Sequence, residues 1–222
     1  MKEAPHKSEE TKKRIKEAAI SLFVKRGVDA TTMREIANRA DMAVGAAYYY
    51  FDSKEAIVME FYTDSQEEVA QKIREASQNV TDLKNLLSIS LKTQFEYFAP
   101  YRKFFGVLSR FASDPRHPLS PFSPETELVR QRSIEVFKEV LEKSKVKVPA
   151  DLLPHLPYLL WLTHMGIIFF WLHDESTDQQ KTKVLLEESL EIIVRLVQLA
   201  RYPLIGSVKK SIVQLLENMK FD

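Results

Sequence analysis

Apolar residues recur with the period of an α-helix along nearly the whole chain, and this periodicity restricts the fold more than any other feature. The clearest stretch has apolar residues at positions i, i+3, i+4, i+7 and i+8, the pattern of an amphipathic helix: Ile15, Ala18, Ala19, Leu22 and Phe23. No stretch sustains the apolar–polar alternation of a β-strand. Glycine, which tight β-turns require, occurs only five times in 222 residues. The sequence therefore predicts an all-α fold.

The breaks between periodic stretches predict the extent of the other helices. After two short helices near the N-terminus, the expected helical ranges are 53–77, 83–98, 101–112, 125–144, 151–174, 179–201 and 204–219. Four prolines within ten residues force a loop before residue 125: Pro115, Pro118, Pro121 and Pro124. The last helix is predicted to be amphipathic, with this apolar face: Ile205, Val208, Ile212, Leu215, Leu216 and Met219.

Local signals predict the ends of the first helices. Gly27 follows the first amphipathic stretch and supplies a left-handed helix stop. Thr32 and Glu35 form a capping box, in which each side chain bonds the backbone amide of the other, so a second helix begins after Thr32. Asp41 tolerates the left-handed turn that must follow this helix. A third short helix is expected from Gly45 to Phe51.

Two short helices joined by a tight turn, behind an amphipathic helix, have the geometry of a helix-turn-helix. In the third helix, Ala47 and Phe51 are four residues apart and are expected to face the first two helices. Tyr49 and Tyr50 then lie about 200° and 300° around the helix from Ala47, and we expect them in water. An exposed aromatic pair marks an interface, and tyrosine hydroxyls donate to phosphate oxygens. The alternative is a structural bundle whose tyrosines pack on a neighbouring helix.

The charge of the N-terminal region is compatible with a DNA-binding role. The first 54 residues carry seven Lys and four Arg against five Glu and three Asp, a net charge of +3, whereas the whole chain has a net charge of +1. A modest positive charge favours contact with phosphates, although solvated lysines also account for it. The charge balance permits DNA binding and does not demand it.

Several spaced positions between residues 11 and 62 form one motif: Thr32, Ile36-Ala37, Ala40, Gly45, Tyr48-Tyr49-Tyr50-Phe51 and Ser53-Lys54-Glu55. With these positions the segment resembles the tetracycline-repressor (TetR) family of bacterial transcription regulators. Two residues depart from the family's pattern. Asp41 stands where glycine is usual in the turn and brings a negative charge near DNA, and Ala43 stands where Ser or Thr often caps the recognition helix. Both departures are expected to weaken DNA binding.

The resemblance implies which side chains hold the DNA backbone. Phosphates would be held by Thr32, Tyr48 and Lys54, and Tyr50 would take a position that often contacts phosphate. Arg34, early in the second helix, could reach a phosphate or a base, or pair with nearby acids instead.

The resemblance also implies which residues of the third helix read bases. Val44, Ala46 and Tyr49 would face base edges, and Gly45 would let the backbone approach the DNA. These contacts are mostly apolar. The operator is therefore expected to depend on thymine methyl groups or on DNA shape.

By the same resemblance the chain has a DNA-binding domain in residues 1–54 and an effector-binding and dimerisation domain in residues 55–222. In the family, the last long helices of two subunits pack into a four-helix bundle, and the corresponding helices here are 151–174 and 179–201. Gly166 would permit close helix approach. The expected apolar face of the bundle consists of Leu190, Ile193, Val194 and Val197. A two-fold dimer places two recognition helices on a palindromic operator.

Aromatic residues cluster between Phe95 and Phe111 and between Tyr158 and Trp171. Each is most simply a core residue, but some are expected to line a cavity for an apolar or aromatic effector. Single polar residues within these apolar stripes need a partner if they are buried: Ser90, Gln94 and His164. The residues predicted to bind the effector are Gln94, Phe98, Tyr101, Phe105, Tyr158, Trp161 and His164.

The sequence argues against catalysis, metal binding and membrane insertion. The absence of cysteine excludes disulfide and thiolate chemistry and fits a reducing cytoplasm. We find no nucleophile with a base and no glycine-rich phosphate loop, and His164 has no His or carboxylate three or four residues later to share a metal. The apolar stretch Leu156–Leu172 is short for a membrane span, and the charged N-terminal residues lack a secretory signal. No enzyme, cofactor or metal is therefore expected.

These observations favour a homodimeric repressor that leaves its palindromic operator when a small effector binds. The alternative is a helical small-molecule-binding protein whose N-terminal bundle is only structural. Sequence-specific DNA binding discriminates between the two.

Overall fold

The computed structural model of the chain describes residues 5–202 and 206–218. Within these residues the protein forms ten α-helices and three single-turn 3₁₀ helices, and no strand occurs. The helices are α1 (Pro5–Arg26), α2 (Met33–Arg39), α3 (Val44–Tyr50), α4 (Lys54–Ala76), α5 (Leu83–Phe98), α6 (Arg102–Leu108), α7 (Glu127–Lys143), α8 (Leu156–Leu172), α9 (Gln180–Leu199) and α10 (Gly206–Asn218). The predicted all-α fold is confirmed.

The predicted end of α1 and the predicted start of α2 are confirmed, and α3 runs from Val44 to Tyr50, one residue earlier at each end than predicted. Gly27 has a φ of +88°, in the left-handed region that favours glycine. The hydroxyl of Thr32 accepts a hydrogen bond from the Glu35 amide at 3.3 Å, and the Thr32 amide donates to the Glu35 carboxylate at 2.9 Å. These bonds from Thr32 hold the pKa of Glu35 below its ordinary value. Asp41 takes a φ of 54° in the turn between α2 and α3.

Contacts divide the described chain into two compact units, each built from separate segments. Unit 1 consists of residues 5–68 and 99–130, and unit 2 consists of residues 69–98, 131–202 and 206–218. This division differs from the predicted boundary after residue 54, because residues 99–130 contribute to the core beneath the first helices. The predicted boundary concerns function and stays a prediction.

The core of unit 1 forms where the first four helices meet side chains of α6 and the loop after it. Phe23 of α1 is fully buried and stacks on Phe104 of α6, with ring centroids 6.1 Å apart. Phe61 of α4 meets the same Phe104 ring edge-on at 5.3 Å. Phe111 and Leu119 are buried in the same core. The segment after α5 therefore completes the core on which α2 and α3 rest.

Unit 2 packs α5, α7, α8 and α9 around one core. Its most deeply buried members include Leu86, Leu87, Phe137, Trp161, Ile167 and Leu190. On the surface, Lys92 of α5 pairs with Glu187 of α9 at 3.5 Å, and Lys84, earlier in α5, pairs with Glu191, later in α9. The ion pairs align α5 with α9, while burial of apolar surface supplies most of the stability.

Asp174 fixes the start of α9. One of its carboxylate oxygens accepts hydrogen bonds from the amide and hydroxyl of Ser176 at 2.9 and 2.6 Å, and the other accepts from those of Thr182 at 2.8 and 2.6 Å. Burial alone would raise the pKa of Asp174, but these four bonds outweigh burial and hold the pKa below its ordinary range. Donors at the beginning of α9 are thereby satisfied.

The C-terminal half departs from the predicted helix limits. α8 begins at Leu156 rather than at residue 151. Residues 151–155 form turns, because Pro154 disfavours helix at the residue before it and has no backbone N–H to donate. Of the predicted apolar face of α10, only the Leu215 side chain is described, and it is exposed; the other five lie outside the described side chains. Within the described helices, none combines the length and apolarity needed to cross a bilayer.

Candidate DNA interface and effector-binding unit

Helix α3 buries one side and exposes two tyrosines. Ala47 is fully buried and Phe51 nearly so, as predicted. Tyr49 is 82% exposed and Tyr48 is 49% exposed, whereas Tyr50 is half-buried against the core of unit 1. The prediction that Tyr49 and Tyr50 form the exposed pair was therefore wrong for Tyr50. A rotation of about 300° is only 60° from Ala47 in the opposite sense, which returns Tyr50 to the packed side.

The residues beside the two exposed tyrosines are small. Gly45 and Ala46 are exposed, and Val44 is half-buried. A Cβ placed on Gly45 would meet no protein atom within 4 Å, so the fold itself does not require glycine there. As expected, Ala43 provides no side-chain cap for α3. The result is a low surface of backbone and methyl groups next to two projecting phenol rings.

The candidate phosphate-binding residues of α2 lie at its first turn. Thr32 is exposed, and its hydroxyl donates to the Glu35 carboxylate at 2.8 Å while it caps the helix. Arg34, the second residue of α2, is exposed. The acid beside it, Glu35, pairs with Arg26 of α1 at 2.9 Å. The exposed guanidinium of Arg34 is thus placed where an external partner can reach it.

Lys54 has a role that the sequence did not reveal. Its ammonium group donates to the backbone carbonyl oxygens of Val28 at 2.8 Å, Asp29 at 3.1 Å and Thr31 at 3.2 Å. A lysine ammonium has three donors, and three carbonyls of the loop between α1 and α2 accept from it. Lys54 therefore ties the first residue of α4 to that loop, and its predicted phosphate contact stays a prediction.

The residues predicted to bind an effector do not fall in one unit. Tyr101 and Phe105 belong to unit 1, where both rings pack on Phe61 at centroid distances of 4.9 and 6.2 Å. The remaining members lie on α5 and α8 of unit 2: Gln94, Phe98, Tyr158, Trp161 and His164.

The members of this set in unit 2 are mostly buried. Trp161 is 2% exposed and stacks on Tyr158 at 5.6 Å. The side-chain amide of Gln94 is buried and donates to the carbonyl oxygen of Ser90 at 3.3 Å. Phe98 is buried at the end of α5.

His164 is buried among aromatic rings without a hydrogen-bond partner for either ring nitrogen. The rings of Phe95 and Phe137 form T-shaped pairs with its ring, at centroid distances of 6.2 and 5.8 Å. The buried hydroxyl of Ser90 on α5 likewise has no partner. Burial lowers the pKa of His164 to about 4, so the imidazole is neutral near pH 7.

Unit 2 also contains an open cavity of about 600 Å³ that was not anticipated. Its walls are Thr81, Asp82, Leu83, Lys145, Val146, Lys147, Val194, Gln198, Arg201 and Tyr202. Three of these residues are cations, so this cavity differs from the uncharged surroundings of His164. Its walls come from three separate parts of the chain, which no local pattern relates.

The C-terminal helices expose apolar residues other than those predicted. Leu190 and Val197 are buried in the core of unit 2, and Ile193 and Val194 pack against it. The exposed apolar residues of α8 and α9 are Phe169, Phe170, Val184, Ile192, Leu196 and Leu199. The predicted dimer face was therefore the core face of α9. Because α9 is apolar on two sides, periodicity alone could not separate them.

Family models match both parts of the chain. The model described as bacterial regulatory proteins of the tetR family matches residues 15–61. The model described as the tetracyclin repressor-like C-terminal domain matches residues 86–215, which is more than half of the chain.

Individual proteins are similar over shorter stretches or in fold. The transcriptional regulator YerO of Bacillus subtilis is 34% identical over 102 residues, covering 45% of this chain and 35% of YerO. The transcriptional repressor KstR2 of Rhodococcus jostii is 36% identical over 78 residues, covering 35% of this chain and 38% of KstR2. The chain thus matches little more than a third of the length of these relatives. FadR of Bacillus subtilis, solved in complex with stearoyl-CoA, has a similar fold with a TM-score of 0.63 at 16% identity, covering 78% of this chain and 95% of FadR.

The helix-turn-helix of α2 and α3, the all-helical remainder and the two family matches agree with one another. The chain belongs to the tetracycline-repressor family, whose members regulate transcription rather than catalyse reactions.

Proposed function

We propose that this protein is a homodimeric repressor that binds a palindromic operator and leaves it when a small apolar or aromatic effector binds. It would act in the cytoplasm, on the chromosome. The observation that carries the proposal is the exposed Tyr48–Tyr49 pair on α3, beside small residues that leave the backbone accessible. The name of KstR2, a repressor, supports the direction of regulation.

In this proposal α3 lies in the major groove and reads bases mainly by apolar contact. Tyr49 and Ala46, three residues apart, face base edges, and Val44 stands at the start of the same helix. Gly45 lets the backbone approach the groove, since no part of the protein occupies the space around it. Methyl and ring surfaces discriminate thymine methyl groups rather than guanine hydrogen-bonding edges.

Residues around α3 hold the flanking phosphates in this proposal. Tyr48, Thr32 and Arg34 are exposed residues. The Thr32 hydroxyl donates to the Glu35 carboxylate in the free protein and would exchange that bond for a phosphate oxygen. Tyr50 is half-buried, so only the exposed part of its side chain is proposed to contact a phosphate. Lys54 is proposed to act chiefly by holding the loop before α2 in place, through its three carbonyl contacts.

The proposed dimer forms through the exposed apolar residues of α8 and α9. Phe169, Ile192 and Leu196 are each more than half exposed in the single chain, and they belong to two helices that contact one another, so we take these exposed side chains as the association surface. A Cβ on Gly166 would meet no atom of its own chain within 4 Å, which leaves room for close approach of a second α8. A two-fold dimer matches a palindromic site.

Release by an effector requires a connection from unit 2 to the DNA-reading helices. Helix α4 provides it, because its 23 residues, about 35 Å of helix, contribute to both units. A ligand that repacks unit 2 would shift α4 and the loop that Lys54 holds. The stearoyl-CoA bound to FadR supports a ligand-responsive role for this fold. By linkage, the effector must bind less tightly to the operator-bound protein.

The test is binding of the purified protein to fragments of its own upstream DNA, at physiological salt with excess competitor DNA. We expect one palindromic site to bind far more tightly than competitor. Tyr49→Ala should weaken this binding about 5- to 150-fold, since loss of readout at one base pair costs about 1–3 kcal/mol. Tyr202→Ala, which removes an exposed tyrosine of unit 2, is the matched control. Ligand binding without any sequence-specific DNA binding would instead establish the alternative, a structural N-terminal bundle.

A further inference from the structure

His164 is the least satisfied buried polar side chain of unit 2. It is 5% exposed, and neither Nδ1 nor Nε2 has a hydrogen-bond partner. More than nine in ten buried polar groups in folded proteins are hydrogen-bonded, and an unpaired one lowers stability. An apolar residue at this position of α8 would pack among the same rings without that cost, so the imidazole calls for an explanation other than packing.

The surroundings of His164 are aromatic and uncharged. Phe95 of α5 and Phe137 of α7 approach the imidazole, and the Phe95 ring also meets Trp171 at 5.3 Å. The hydroxyl of Ser90, fully buried on α5, is a second polar group without a partner. Aromatic rings around an unpaired polar side chain are the surroundings that a site for a small apolar ligand presents.

The protonation state of His164 restricts the chemistry of its partner. Burial keeps the imidazole neutral near pH 7, and a neutral imidazole offers one N–H donor and one acceptor nitrogen. Such a group bonds a carbonyl oxygen or a hydroxyl. A carboxylate or phosphate in the same place would be buried without a cation, which is costly.

We propose that His164 recognises the single polar oxygen, a hydroxyl or carbonyl, of an uncharged and otherwise apolar effector. This assignment rests on the proposed ligand-responsive function and names the chemical class of the ligand. The cations Lys145, Lys147 and Arg201 line the open cavity of unit 2, to which His164 does not contribute, so the surroundings of His164 offer no cation to a charged head group.

Three molecules that share one ring system test the assignment by calorimetric titration of the full-length protein at pH 7.5. They are 2-naphthol, which is uncharged and carries a hydroxyl, naphthalene, which has no polar group, and 2-naphthoate, which carries a carboxylate. We expect 2-naphthol to bind about 3- to 10-fold more tightly than naphthalene, the value of one net hydrogen bond. 2-Naphthoate should bind most weakly.

The variant His164→Leu should remove the preference for 2-naphthol over naphthalene while it keeps the affinity for naphthalene. His155→Leu, at a half-buried histidine before α8, is the matched control and should keep the preference. Nuclear magnetic resonance of the unmodified protein gives a second test that does not depend on the folding of any variant. The ring-nitrogen resonances of His164 should shift on addition of 2-naphthol and not on addition of 2-naphthoate.

Several results would overturn the assignment: equal affinities for 2-naphthol and naphthalene, tightest binding of 2-naphthoate, a preference that survives in His164→Leu, or no binding of 2-naphthol. Operator binding is measured on the same preparations. If it is intact while any of these results is obtained, the ligand class is wrong and the repressor function stands. If the protein binds no specific DNA, the proposed function fails whatever the naphthalene series shows.

Discussion

Helices α3 and α8 place polar side chains in opposite environments. In α3 only Ala47 is buried, and the rings of Tyr48 and Tyr49 extend into water. In α8 seven of 17 residues are buried, and one of them is His164, whose ring nitrogens have no partner. An exposed phenol costs the free protein little, whereas an unpaired buried imidazole costs about 1–3 kcal/mol.

The difference separates binding from stability. On α3, side chains can be selected for a partner outside the protein with little effect on folding, so variants there should change operator affinity far more than stability. On α8, a side chain that serves a ligand lowers the stability of the unliganded fold. Variants there should change ligand binding and stability in opposite directions. Four variants, one of them a double substitution, sharpen or break this comparison.

The largest effect on operator binding is expected from Ile192→Glu combined with Leu196→Glu on α9. Both side chains are more than half exposed, so the single chain should fold normally while two buried carboxylates prevent dimer formation. Loss of one of two linked half-site contacts should weaken operator binding about 100-fold or more. Sedimentation and DNA titration measure the two effects.

The matched control for this dimer test is Leu128→Glu, which alters a leucine of unit 1 that is 76% exposed. It should leave both mass and operator affinity unchanged. A parent protein that sediments as a monomer at working concentration would contradict the proposed interface, and α8 and α9 would then expose apolar residues for another reason.

His164→Leu should change the pH dependence of stability. Burial lowers the pKa of His164 from 6.5 to about 4. Between these values the unfolded chain binds a proton that the folded protein does not, so the free energy of unfolding falls as pH is lowered, by about 1.4 kcal/mol per pH unit and about 3 kcal/mol in all. The free energy of unfolding of the variant should not show this fall, and the variant should also be more stable than the parent at pH 7.5. Urea unfolding at several pH values measures it.

Parallel pH profiles of the parent and His164→Leu would show that the imidazole is solvated or paired in solution. A variant that is less stable at pH 7.5 would point to a buried water that bonds the ring. His155→Leu serves as the control and should retain the parent profile between pH 4 and 6.5.

Lys54→Met tests whether the lysine holds the loop or a phosphate. Loss of three carbonyl contacts should lower the free energy of unfolding by about 1–2 kcal/mol and weaken operator binding. If Lys54 acts through the loop, the slope of log affinity against log salt stays the same. If it binds phosphate, the slope falls by about 1. Arg34→Met, which removes an exposed cation of α2, gives the slope change expected for a direct contact.

The smallest effect on folding is expected from Gly45→Ala. The added methyl meets no protein atom, and alanine favours helix over glycine, so stability should rise by about 0.5 kcal/mol. Operator binding should nevertheless weaken, because the methyl occupies the space through which the backbone approaches DNA. Gly106→Ala on α6, also in open space, is the control and should leave operator binding unchanged. Unaltered operator affinity in Gly45→Ala would show that Gly45 does not belong to the DNA interface.

The N-terminal helices could be predicted from the sequence because their limits depend on local chemistry. The left-handed conformations of Gly27 and Asp41 and the capping box of Thr32 follow from single residues and their neighbours. Tyr50 was placed on the wrong side because a seven-residue helix gives too few positions to define a buried face.

The effector set and the role of Lys54 could not be predicted, because both depend on distant segments. Nothing in the local pattern shows that Tyr101 packs on Phe61 of unit 1 rather than within unit 2. Three carbonyls 23 to 26 residues before Lys54 are brought to its ammonium only by the folded loop. His164 was recognised as a polar residue in an apolar stripe, but the absence of a partner is a property of the packed core.

The stacking of Phe23 on Phe104 has a consequence for the construction of chimeric regulators. Residues 99–130 complete the hydrophobic support of the DNA-reading helices although they follow α5 in the chain. Exchange of residues 1–54 alone would set the parent's Phe104 and Phe111 against foreign partners. When the DNA-binding segment of this protein is transplanted into a relative, residues 99–130 should therefore be transplanted together with it.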